Sequence, residues 1–201
     1  MLSHLVSFLL FPASTFHLSF LLLESPSPDG TYTYVSATIT TAASHTIAIL
    51  QAGVDIQVID SVVYTDAWYV WYPNFVLYYD EFDVNPGDLS VASVNVTGND
   101  RGICTVQNLT SGESISKTVS SPKSTVTLAE WVMEDYTTAG DMVPLVGFGN
   151  VTFEDCMAQS SAGGMYGLAN ATIYELVVDE TVAAGVEVLG INNIVVKREE
   201  L

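Results

Sequence analysis

Ala129-Glu130-Trp131-Val132-Met133-Glu134-Asp135-Tyr136 is an eight-residue run without glycine or proline, and it reads as a strand. One-residue alternation then places Glu130, Val132 and Glu134 on one face and Trp131, Met133 and Asp135 on the other. Two further runs share this character: Ile47-Ala48-Ile49-Leu50-Gln51-Ala52-Gly53-Val54-Asp55 and Asp66-Ala67-Trp68-Tyr69-Val70-Trp71-Tyr72-Pro73. In the first, Ile47, Ile49 and Gln51 fall together; in the second, Trp68, Val70 and Tyr72 share a face opposite Tyr69 and Trp71. A concave sheet carrying Gln51, Trp68, Tyr72 and Glu134 would form a groove able to hold an extended peptide.

The rest of the chain repeats the theme. Short β-favouring runs alternate with Gly, Pro, Asn, Asp and Ser, and no segment has a helical period. Thr31 to Thr40 and Asp88 to Thr97 alternate. Cys104 to Asn108 and Glu113 to Val119 flank Leu109-Thr110-Ser111-Gly112, the pattern of a hairpin connection. Val143 to Phe153 reads as a turn entering a strand, and Ala171 to Val178 and Ile194 to Lys197 read as late strands. Such a series predicts an all-β fold, an antiparallel sandwich of two sheets.

With 201 residues, 49% hydrophobic and 14% charged, the chain suffices for one sizeable core. We expect an apolar leader over 1–24, a turn-rich linker over 25–30 and one domain over 31–201. Leu5 to Leu23 lacks Lys and Arg, and Pro12 and His17 interrupt it. It reads as an atypical secretory signal, a segment foreign to the mature fold, or, if uncleaved, a membrane anchor. Lys and Arg number 5 against 23 Asp and Glu, for a formal charge of −18. That charge repels nucleic acid and anionic membranes, and it suits acid, where carboxylates near their ordinary pKa of about 4 are neutralised. Cys104 and Cys156 allow one disulfide. Four sequons, at Asn95, Asn108, Asn150 and Asn170, each lie beside turn-forming residues where a glycan would reach solvent, and together they point to secretion.

Taken in order, the three opening runs resemble the active-site strands of the eqolisins, the acid-acting glutamic endopeptidases secreted mainly by fungi. Gln107-Asn108-Leu109-Thr110-Ser111-Gly112, Val143-Pro144-Leu145 and Phe148 to Phe153 are similar to scaffold segments of that family, so the resemblance covers roughly Thr31 to Val178. It implies a concanavalin A-like sandwich, a secreted protein, and hydrolysis of protein or peptide substrates by activated water with no metal and no cofactor. It assigns the catalytic pair to Gln51 and Glu134. Glu134 is the implied general base, and Gln51 the implied donor to the oxyanion. Asp55, Trp68, Tyr72 and Glu130 are the implied supporting and groove-lining residues. The chain departs from the family at its front. A Trp-Val-Gly-Ile-Asp-like block between Thr38 and Gln51 is missing, the usual first strand is replaced by the apolar leader, and Val70 stands where relatives can have Glu. The N-terminal part of the fold is therefore expected to be truncated or altered.

Without the resemblance, Glu134 is a solvent-facing carboxylate on a half-buried strand and Gln51 bonds only backbone or water. Two other functions stay open: an inactive homologue that binds peptide or carbohydrate in the same groove, and a glycosidase using Glu130 and Glu134. Four residues apart on one strand, those two carboxyls stand on Cα atoms about 13 Å apart, which disfavours the glycosidase. His4, His17 and His45 show no zinc spacing, and a serine or cysteine triad would have only His45 within the domain.

Overall fold

Period-two burial marks Leu89–Gly98 and Arg101–Asn108, as expected for strands that cover a core on one side only, whereas Ile49–Ile59 is buried on both faces from Leu50 to Ile56. The computed structural model describes residues 3–4, 15–21, 31–40, 49–98, 100–120, 128–135, 137–138, 141–142, 147–169, 171–178 and 180–199. Its strands in chain order are β1 (Ser3–His4), β2 (Thr15–Leu21), β3 (Thr31–Thr40), β4 (Ile49–Ile59), β5 (Val62–Tyr72), β6 (Leu77–Tyr78), β7 (Leu89–Gly98), β8 (Arg101–Asn108) and β9 (Glu113–Ser120). They continue with β10 (Leu128–Asp135), β11 (Thr137–Thr138), β12 (Asp141–Met142), β13 (Asn150–Gln159), β14 (Met165–Tyr166), β15 (Leu176–Val178), β16 (Thr181–Val188) and β17 (Ile194–Arg198). Every pairing between them is antiparallel.

A six-stranded sheet runs β1-β10-β3-β4-β5-β6. A nine-stranded sheet runs β15-β16-β17-β13-β2-β7-β8-β9, with β14 on β13, and β11 and β12 form a separate ribbon. β4 packs across β7 and β8, so the two sheets share one core. The six-stranded sheet contributes Leu50, Ala52, Val54, Ile56, Trp71, Trp131 and Met133 to it, and the nine-stranded sheet contributes Val94, Cys104, Val106, Phe153 and Val196. Gln51, Trp68, Val70, Val132 and Glu134 alternate with those residues and lie outside the core cluster, on the other face of the six-stranded sheet. The face assignments made for the octet and for the aromatic strand thus hold.

The β4–β5 register is set by a two-residue connection. Asp60 and Ser61 both have positive φ, 50° and 63°, the primed-turn geometry that matches the twist of flanking strands. Ile59 then faces Val62, and each later pair follows, including Gln51 with Val70 and Asp55 with Asp66. Behind this hairpin, Gly102 of β8 lets the second sheet approach: a Cβ there would lie 2.6 Å from Leu50 Cδ2 and 3.1 Å from Trp71 Cζ3.

Several expectations need correction. Thr15–Leu21, placed within the apolar leader, is a strand in the interior of the nine-stranded sheet, paired with β7 on one side and β13 on the other. Thr15, His17 and Ser19 alternate with Phe16, Leu18 and Phe20, a strand pattern that the overall apolarity hides. The domain boundary drawn at residue 31 and the leader ending at 24 therefore fall beyond a paired strand; the linker over 25–30 lies outside the described residues. Among the described residues, no helix is long and apolar enough to cross a membrane. Cys104 and Cys156 are both free and buried. They sit on β8 and β13, with β2 and β7 between, about 14 Å apart across the sheet and beyond disulfide reach. Late in the chain, strand structure begins at Leu176 and not at Ala171, and β16 was not anticipated. Its Ala183-Ala184-Gly185 centre is buried throughout and does not alternate.

The Asn108 side chain also does not reach solvent, contrary to the expectation for the four sequons. Asn108 is 2% exposed; its Nδ2 donates to Asp83 O at 3.2 Å and to Asp88 Oδ2 at 2.7 Å, while its Oδ1 accepts from the N–H groups of Thr110 and Ser111 at 3.0 and 3.1 Å. One amide therefore caps the β8–β9 turn and anchors the loop before β7. Asn108→Ala is expected to lower unfolding free energy by about 3 kcal/mol, since it removes these bonds and strands buried partners. Denaturant unfolding measures this directly, and a loss below about 0.5 kcal/mol would show that water replaces the amide.

Candidate active site

β10, β3, β4 and β5 lie side by side, and their registers align two rows across the site face. Glu130 pairs with Thr38, which pairs with Gln51, which pairs with Val70. Glu134 pairs with Tyr34, which pairs with Asp55, which pairs with Asp66. Between them, Gly53 faces Trp68 and puts no side chain on the floor. The link that matters runs diagonally from one row to the other: Gln51 Nε2 donates to Glu134 Oε1 at 2.8 Å. In a flat sheet, two strands across and four residues along separate Cα atoms by about 16 Å, too far for two side chains and one hydrogen bond. The sheet is therefore coiled toward this face, as twist favours, and the face is concave.

Both partners are removed from water, Gln51 at 6% exposure and Glu134 at 5%. Glu134 is thus not the solvent-facing carboxylate of the bland reading. Beneath Gln51, on the core side, the buried Cys104 thiol donates to the Gln51 backbone oxygen at 3.5 Å. Burial pushes the thiols of Cys104 and Cys156 up, so neither is a nucleophile.

Asp55 is fully buried. Its Oδ1 accepts the Asp66 N–H at 3.0 Å, and its Oδ2 accepts from Gln57 Nε2 and from the Tyr78 hydroxyl, each at 3.1 Å. It therefore ties β4 to β5 and to the edge strand β6. Burial pushes its carboxyl up from 3.8 to about 6, and the neighbouring Asp66 charge adds to this; the three hydrogen bonds only partly offset the rise.

The folded chain consequently holds this proton more tightly than the unfolded chain does. The associated stabilisation is complete below about pH 3.8, declines as pH rises, and is gone above about 6. Its size is on the order of 3 kcal/mol. Asp55→Asn keeps a neutral group: its Oδ1 still accepts the Asp66 N–H, and its Nδ2 can donate to the Tyr78 hydroxyl or to the Gln57 amide oxygen. We expect the variant to lose less stability than the parent between pH 3.5 and 7 by about that amount, read as the difference in unfolding free energy. Parallel pH curves for the two proteins would show that Asp55 is not the group responsible.

Of the remaining expected residues, Glu130 is buried at 7% on the same face as Glu134, in the row of Gln51. Trp68 is 2% exposed and lies between Gly53 and Tyr78 in register, so it backs the site from within. Tyr72, 44% exposed and paired with Ile49, stands at the rim. Gln51 and Glu134 touch; the others lie on the same face of the sheet. The sequence reading missed Gln57 and Tyr78. Gln57 lies two residues after Asp55 and so on the same face, a signal that was available. Tyr78 reaches Asp55 from an edge strand of two residues, for which no sequence signal exists. Among the described residues, no three His, Cys, Asp or Glu side chains are grouped so as to hold a metal ion.

A family model described as the Peptidase A4 family matches residues 15–198. Aspergillopepsin-2 of Aspergillus niger is 35% identical over 146 residues, which cover 71% of this chain and 51% of that protein. Scytalidopepsin B of Scytalidium lignicola is 32% identical over 124 residues, covering 57% of this chain and 47% of that protein. The chain spans about half the length of these curated relatives. Among solved structures, aspergilloglutamic peptidase from Aspergillus niger superposes with a TM-score of 0.75 at 30% identity, covering 84% of this chain and 99% of that one. Scytalido-glutamic peptidase with a transition state analogue inhibitor superposes with a TM-score of 0.79 at 24% identity, covering 99% of this chain and 100% of that one. These likenesses match the antiparallel two-sheet architecture described above.

Proposed function

Because the chain belongs to the Peptidase A4 family, the eqolisins, we propose that it is an acid-acting glutamic endopeptidase with Gln51 and Glu134 as its catalytic pair. The observation that carries this reading is the buried hydrogen bond from Gln51 Nε2 to Glu134 Oε1 on the concave face. Peptide hydrolysis needs a base for water, an acid for the leaving nitrogen and a donor for the developing oxyanion. Glu134 as carboxylate takes a proton from water, and the resulting hydroxide attacks the peptide carbonyl. The amide of Gln51 carries two N–H groups. One holds Glu134 in place, and the other is the donor assigned to the tetrahedral oxyanion. Collapse of that intermediate breaks the C–N bond as protonated Glu134 returns its proton to the leaving amine, regenerating the carboxylate.

Glu130 and Asp55 are assigned supporting roles, Glu130 beside the Gln51 row and Asp55 through β5 and β6. Trp68 stiffens the floor and Tyr72 offers an aromatic rim to the substrate. The substrates are proteins or peptides in extended form, and the site of action is outside the cell. Acidic conditions fit the neutral form of Asp55 and the scarcity of cations: among the described residues the ion pair is Lys197 with Glu187, at the surface. The test is protein cleavage by the purified chain from pH 2 to 6 beside Glu134→Gln. Activity confined to the parent supports the reading, whereas a folded parent that binds peptide and never cleaves it marks a binding protein.

A further inference from the structure

We propose that Asn150 is an N-glycan acceptor of this chain and that Asn108 is not. The two sequons are indistinguishable as motifs, Asn150-Val151-Thr152 and Asn108-Leu109-Thr110, yet the fold treats them oppositely. Asn150 is exposed at the start of β13. Val151 and Phe153 are fully buried, so alternation turns Asn150 and Thr152 outward from the nine-stranded sheet. The residue paired with Asn150 is Lys197, itself at the surface in its ion pair with Glu187. A glycan here meets solvent and covers no core.

At Asn108 the nitrogen that would carry the sugar already donates to Asp83 O and Asp88 Oδ2 within a site 2% exposed. A sugar on that atom removes a donor and cannot be accommodated, so a chain glycosylated there does not close the turn between β8 and β9. The transfer itself is a displacement. The Asn150 amide nitrogen bonds to C1 of the first sugar of a lipid-diphosphate-linked oligosaccharide, the C1–O bond to phosphate breaks, the amide loses one proton, and the lipid diphosphate leaves.

The outward face of the nine-stranded sheet lies on the opposite side of the sandwich from the concave site face. The glycan therefore leaves the groove open, and this inference does not depend on catalysis.

The full 201-residue chain is produced in a fungal secretory host, and protein from cells and medium is trimmed by an endoglycosidase that leaves one sugar on each occupied Asn. Peptide mass mapping is expected to find the sugar on Asn150 and not on Asn108. Asn150→Gln, and independently Thr152→Ala, which keeps the asparagine, are each expected to abolish one glycan's mobility shift with the melting temperature unchanged. Asn150 bare in both fractions, or Asn108 occupied in folded protein, overturns the proposal. Cleavage is assayed separately on the same samples, so failure of the peptidase reading is distinguishable from failure of this one.

Discussion

Glu134→Gln is expected to reduce peptide-bond cleavage by about 10³-fold or more while leaving the protein folded. A positioned general base contributes roughly 10² to 10⁴. On the proposed mechanism one carboxyl serves as both base and acid, so its loss removes both proton transfers. The substitution is nearly isosteric, and an amide can still accept the Gln51 N–H, so the 2.8 Å contact keeps a partner on each side. It also takes a carboxyl out of a site only 5% exposed, which spares the fold the cost of burying a charge. Melting temperature at neutral pH should therefore hold or rise while turnover disappears. Gln51→Ala is expected to cost about 10² to 10³, the usual loss on removing one oxyanion donor, and to act mainly on kcat. Its effect should not add to that of Glu134→Gln, because the two groups act as a unit. A Glu134→Gln protein that cleaves at more than about a tenth of the parental rate would move the base elsewhere, with Glu130, on the same face, the next candidate.

The faces of β4, β5 and β10 were legible because successive side chains of any strand point to opposite faces, even though β4 and β10 are buried on both. Gln51, Trp68 and Glu134 fall opposite Leu50, Trp71 and Met133 by counting alone. Contact between Gln51 and Glu134 was not legible. Alternation puts two residues on one face and says nothing of the coil that closes a diagonal of about 16 Å in a flat sheet. The pKa of Asp55 was equally hidden, since it depends on complete burial under Tyr78 from another strand. The strand at Thr15–Leu21 was missed for a different reason. Its flanks are so apolar that composition over 23 residues masked the alternation within seven. Conversely, the sequon at Asn108 was overread: a motif specifies what an enzyme can modify in an open chain, and only the fold decides whether the nitrogen is already engaged.

A chain shortened to begin at residue 25 is expected not to fold. The cut removes β2, whose seven residues pair with Leu89 to Asn95 of β7 and, through six partners, with β13. Without it, β7 and β13 face each other as unpaired edges about 10 Å apart, and β13, β15, β16 and β17 are severed from β7, β8 and β9. Ala92, Val94, Phe153 and Cys156, fully buried on the strands flanking the gap, then open to water. The lost ladder bonds, at about 0.5 to 1 kcal/mol net for roughly a dozen, amount to several kcal/mol before any apolar exposure is counted. That is comparable with the whole stability of an ordinary domain, about 5 to 15 kcal/mol. A chain begun at residue 15, where the family match also starts, keeps the strand and should unfold cooperatively. Thermal unfolding of the two shortened forms beside the full chain separates the possibilities. A cooperative transition at the parental midpoint in the 25–201 form would mean that the sheet closes without β2, and that residues 1–24 are dispensable to the fold. Loss of the transition in that form alone would place the opening residues inside the folded domain, with any processing confined to positions before Thr15.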